Sequence, residues 1–131
     1  MEPQKGLFTF RAEGNNISKI RYYSRKIHLS RNTSRCSAYG SGVTTGRGYD
    51  MKYRSAAEII HDLTYSGVPY KHAVQIAEGA KKSHCSADNF VKNHVNLIDE
   101  ITELQQVRLF EITYRRYISE SISFYVMKSL N

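Results

Sequence analysis

Several things are scarce in this chain, and each scarcity excludes something. No apolar run approaches the roughly 18 residues that a spanning helix needs, so no membrane span is expected. The opening MEPQKGLF lacks the basic start, apolar middle and small-residue cleavage site of a secretory signal. Any export is therefore expected to use another route. Cys36 and Cys85 are the two cysteines, compatible with one disulfide or with two reduced thiols, the reduced state slightly favoured. His84, Cys85 and His94 match no familiar zinc-ligand spacing, so neither a metal nor another cofactor is expected. The Gly-Lys-Ser/Thr ending of a phosphate-binding loop is missing as well, which argues against a nucleotide site. Acidic residues are absent between Glu13 and Asp50, while Lys19, Arg21, Arg25, Lys26, Arg31, Arg35 and Arg47 fall in that interval.

What is present is a chain of 131 residues, 40% hydrophobic and 24% charged, with a net charge of +7. That composition is typical of a globular domain, and the charge implies attraction to something anionic. A single domain over residues 1–131 is expected, changing character near Arg54. Residues 1–53 read as a short helix, PQKGLFTFRAEG, followed by a small, irregular antiparallel region that includes SKIRYY and RKIHL. Residues 54–131 read as helices. SAAE at Ser55 to Glu58 is a capping box preceding Ile59, Ile60 and Leu63, and Gly67 is the stop. Pro69 opens a second helix with Ala73, Val74, Ile76 and Ala77, and Ser86 a third with Phe90, Val91, His94 and Val95. TELQ at Thr102 to Gln105 is another capping box, followed by Leu104, Val107, Leu109, Phe110, Tyr114 and Tyr117. The expected class is α+β: a small sheet lobe and a larger, mainly helical lobe with a cleft between them.

The densest local signal is the run SGVTTGRGYD, with Gly40 just ahead of it. In an extended strand Gly40, Gly42, Thr44, Gly46, Gly48 and Asp50 share one parity, giving a nearly bare face with one hydroxyl and one carboxylate. Ser41, Val43, Thr45, Arg47 and Tyr49 would hold the strand from the other side. A straight strand would set Thr44 and Asp50 about 20 Å apart, so they can cooperate only if the chain bends at Gly46-Arg47-Gly48. The plainer reading is a tight turn in a small sheet.

Most acidic residues have structural explanations. Glu58 belongs to a capping box, Asp88, Asp99, Glu100 and Glu103 lie near helix starts, and Asp62, Glu78, Glu111 and Glu120 read as solvated faces. Glu13 and Asp50 remain, flanking the basic stretch. At the carboxyl end of a short helix and beside Phe10, Glu13 is expected to hold its proton, as a general acid does. Arg11 and Arg47 would act against this, and the plainer reading is an ordinary helix-end glutamate.

RAEGN at Arg11 to Asn15 and GVTTGRGYDM at Gly42 to Met51 together resemble the active-site signature of phage-type lysozymes, most closely the pesticin-like toxin and secretion-effector branch. A weaker likeness extends through RSAAEIIHDL, IAEGAKK and ITELQQVRLFE. The resemblance implies a peptidoglycan muramidase with Glu13 as general acid and Asp50 with Thr44 directing water, by inversion. It also implies substrate contacts at Gly42, Thr45, Arg47 and Tyr49, and Thr45 stands where the family usually has isoleucine. The implied partners are peptidoglycan glycan strands and an immunity or inhibitor protein. The implied place of action is the bacterial periplasm or wall, reached through a holin or a secretion system or as part of a larger exported protein. Domains of that family run longer, so Phe124, Tyr125 and Val126 are expected to lie exposed, leaving a monomer or a chain that self-associates through its last helix. An inactive wall-binding relative is one rival. A nucleic-acid module is another, since RYYSRK interleaves aromatics with cations, but no recognised nucleic-acid motif accompanies it, so no such partner is expected.

Overall fold

In the computed structural model, residues 24–29 and 42–129 are described. The expected N-terminal helix, with Glu13, lies outside them. Three strands, β1 (Ser24–Leu29), β2 (Val43–Gly46) and β3 (Tyr49–Asp50), precede four helices: α1 (Ala56–Tyr65), α2 (Tyr70–Ala77), α3 (His84–His94) and α4 (Glu103–Ser129). The described residues are thus α+β, with an antiparallel sheet in the order β1-β2-β3.

The helix ends follow local chemistry, with two departures from the expected caps. Ser55 accepts from the Glu58 amide at 3.1 Å, but the Glu58 carboxylate turns to Arg54 (2.7 Å) instead of completing the box. An adjacent guanidinium outcompetes a neutral amide for a carboxylate. α3 starts earlier than expected: Ser83 caps it, and Ser86 returns the bond to the Ser83 amide at 3.3 Å. The Thr102–Gln105 box forms in full, at 2.9 and 3.1 Å. α1 ends in a Schellman arrangement, with Val68 N–H donating to Leu63 O and Gly67 N–H to Thr64 O.

Beside a small second cluster of Val107, Phe110 and Tyr114, sheet and helices share one main apolar core. Ile27, Val43, Tyr49 and Met51 meet Ile59, Leu63, Ile76, Phe90, Ile101 and Leu109 in it. Among the described residues the sheet therefore lies directly on the helices, in one main core as expected for a single domain. Backbone bonds fasten this contact, from Lys81 N–H to Met51 O (2.9 Å) and from Ile101 N–H to Arg25 O (3.1 Å). α4 runs without a break to Ser129, and its packed face is Gln106, Val107, Leu109 and Phe110. Leu104 and Tyr117, expected on that face, are 39% and 66% exposed. Among the described residues, only the N-terminal half of the helix packs on the body.

Candidate functional site at the β2–β3 hairpin

Thr44 and Asp50 are register partners across β2 and β3, as are Thr45 and Tyr49. Facing residues of an antiparallel pair project to the same side of the sheet, so the hairpin brings together the hydroxyl and carboxylate that a straight strand would separate. Gly46 (φ +62°) and Gly48 (φ +87°) make the bend, in backbone conformations that side-chain-bearing residues rarely adopt. Arg47 sits between them, half-buried.

The bare face expected around Thr44 is not open. Thr44 and Thr45 are each 1% exposed. β2 is the middle strand and is buried along its whole length. The Thr44 hydroxyl donates to Gly42 O (3.2 Å), and that of Thr45 to Arg25 O (3.3 Å). Gly42 has its own reason to lack a side chain: a Cβ there would lie 2.5 Å from Asp50 Oδ1 and 2.7 Å from Lys52 N. Into that space fits the Asp50 carboxylate, which accepts from Lys52 N–H (2.8 Å) and Gly42 N–H (3.4 Å). Two backbone amides thus aim it.

Half-buried Asp50 opens onto a pocket of about 350 Å³ lined with Lys52, Tyr53, Arg54 and Glu58. Arg54 organises this wall. Its Nε donates to Asp50 O (3.1 Å), its Nη1 meets Glu58 Oε2 (2.7 Å), and its guanidinium lies 4.4 Å from the centre of the Tyr49 ring. The i,i+4 spacing of Arg54 and Glu58 was visible in the sequence; their place beside Asp50 was not. Tyr53 is 85% exposed on the rim, with Lys52 Nζ 5.1 Å from its ring centre.

Tyr49, expected to touch substrate, instead turns inward at 2% exposure. Its hydroxyl donates to Asp62 Oδ2 at 2.6 Å. Asp62 reverses another expectation: it reads as a solvated residue but is 0% exposed, gripped by both terminal nitrogens of Arg116 at 2.9 and 2.6 Å. Burial acts to raise the Asp62 pKa, but hydrogen bonds from Arg116 and then Tyr49, with the Arg116 charge, hold it below its ordinary value. Burial first, then the bond to Asp62, pushes the Tyr49 phenol far above its own. This triad lies behind the pocket and fixes β3 against α1 and α4.

Two other readings can be placed. Of the cations in the basic stretch, Arg25 pairs with Glu100 (3.2 Å) and Lys26 Nζ donates to Val95 O (3.2 Å). Both contacts lead from β1 to the segment between α3 and α4. Cys85 is disulfide-bonded, correcting the lean towards reduced thiols; the chain's other cysteine, Cys36, lies outside the described residues. Among the described residues no group of three or more His, Cys, Asp or Glu could hold a metal, and no helix is long and apolar enough to cross a membrane.

A small antiparallel sheet on four helices, with a hairpin carboxylate at an open pocket, defines an α+β domain. The chain belongs to the family described as a domain of unknown function, DUF8812, which matches residues 6–126. No curated protein matches it.

Proposed function

We propose that the protein is a peptidoglycan muramidase with a lysozyme-like fold, hydrolysing the β-1,4 bond between N-acetylmuramic acid and N-acetylglucosamine. The observation that carries this reading is the placement of Asp50: opposite Thr44 across a tight hairpin, aimed by two amides, and open to the pocket. In this proposal Glu13 protonates the leaving oxygen and Asp50 directs water to the opposite face of the sugar, while Thr44, its hydroxyl buried on Gly42 O, would have to turn from that bond to join it. Arg47 at the hairpin tip is the proposed substrate contact. The disulfide at Cys85 supports work outside a reducing cytoplasm. The charge of +7 supports retention on a polyanionic wall.

One observation favours a second reading. Asp50 Oδ1 accepts from the amide two residues on, a common way for aspartate to shape a turn. In a wall-binding protein without activity the carboxylate would do only that.

Digestion of purified peptidoglycan followed by mass spectrometry of the released muropeptides separates the readings. Muramidase action yields fragments ending in reducing N-acetylmuramic acid, with the α-anomer as first product under inversion. Glu13→Gln and Asp50→Asn should each abolish release while the thermal midpoint stays in the folded range. Pelleting with peptidoglycan without release of reducing ends would establish the second reading instead.

A further inference from the structure

The C-terminal half of α4 carries large apolar side chains interleaved with serines, and none of it is buried against the described residues. From Tyr117 to Ser129 every residue is exposed. Tyr117, Phe124, Tyr125 and Met127 are 66%, 68%, 76% and 69% accessible. At about 100° per residue, Tyr117, Phe124 and Met127 continue the face that Gln106, Val107 and Phe110 bury farther back. Ile118, Ile122 and Val126 cover the adjoining side. Large exposed apolar side chains grouped in this way mark an association surface, an interior completed by another molecule.

We infer that this interior is built with a second copy of the chain, its α4 lying antiparallel across a two-fold axis at Phe124. Charge placement selects both the partner and the direction. Between Tyr117 and Ser129 the charged residues are Glu120 and Lys128, each four positions from Phe124. Antiparallel pairing about Phe124 sets Glu120 of each copy opposite Lys128 of the other, as a self-complementary two-fold contact requires. Parallel pairing would set Glu120 against Glu120 and bring two bodies of charge +7 side by side. In the antiparallel form those bodies sit at opposite ends of a contact about 16 Å long. The segment itself carries no net charge, so the copies meet where they do not repel. With each aromatic offering on the order of 200 Å², the exposed face supplies roughly 500 Å² per copy, enough for a specific dimer contact near 1,000 Å² in total.

Sedimentation velocity on the full chain, over about 1 to 100 µM, should show a concentration-dependent monomer–dimer equilibrium. Phe124→Glu should raise the dissociation constant at least about tenfold, as expected for a central aromatic anchor. Glu120→Lys should weaken the dimer by roughly two- to fivefold, the scale of exposed ion pairs, and adding Lys128→Glu should restore it. All these positions are exposed, so far-ultraviolet circular dichroism should match wild type in each variant. A monomer at every concentration, a dimer indifferent to Phe124→Glu, or a double reversal that fails to restore association would each overturn the inference. So would a monomer that co-sediments with vesicles of phosphatidylglycerol and phosphatidylcholine, since the face would then belong to a lipid surface.

Discussion

Asp62 shows how one side chain can tie distant parts of a domain together. It is fully buried, and its charge is tolerated because Arg116 grips it with two nitrogens while Tyr49 supplies a third donor. Removing one member of such a buried pair leaves the other uncompensated. Asp62→Asn should therefore lower unfolding free energy by about 3 kcal/mol, read from urea denaturation at neutral pH. The pH dependence has a definite sign. Because the folded pKa lies below the ordinary 3.8, the contribution is complete above that value and is lost as pH falls through the folded one. Wild type should lose stability across that acid window, and Asp62→Asn should lose less. A variant as stable as wild type, or one with the same acid slope, would remove Asp62 from this role. The acid pattern that made Asp62 look solvated held no hint of Arg116, 54 positions away.

At the scale of elements, the β2–β3 hairpin determines whether a site exists at all. Gly48 is exposed with φ +87°, so Gly48→Ala tests the backbone conformation with little interference from packing. The left-handed cost of about 1–2 kcal/mol should appear as a lowered denaturation midpoint. Since the turn sets the Thr44–Asp50 register, the muramidase proposed above should lose more muropeptide release than the lost stability explains; unchanged release would separate the turn from the chemistry. This bend was legible, because three residues with two glycines between strand-like runs leave few alternatives. The burial of Thr44 was not. Parity assigns a strand residue to a face, but whether that face meets solvent depends on which elements cover it.

For the molecule as a whole, two features set stability and association. The disulfide at Cys85 restricts the unfolded chain, so reductant should cost about 2–4 kcal/mol, seen as a lower thermal midpoint in dithiothreitol than in its absence. Equal midpoints would mean that the cross-link contributes nothing to folding. α4, in contrast, divides by function: its first half completes the core and carries Arg116 to Asp62, while its second half presents the apolar face that pairs copies in the dimer inferred above.

Among the described residues, local sequence alone determined the caps at Ser55 and Thr102, the stop at Gly67, and the glycine bend that returns Asp50 to Thr44. Those features depend on residues a few positions apart, whose interactions any chain with that local order would make. Only the tertiary structure decided that Tyr49 faces inward to Asp62, that Arg54 walls the pocket beside Asp50, and that α4 is packed along half its length. Each depends on where elements far apart in the chain come to rest, and periodicity specifies which face of an element is apolar without specifying what will cover it.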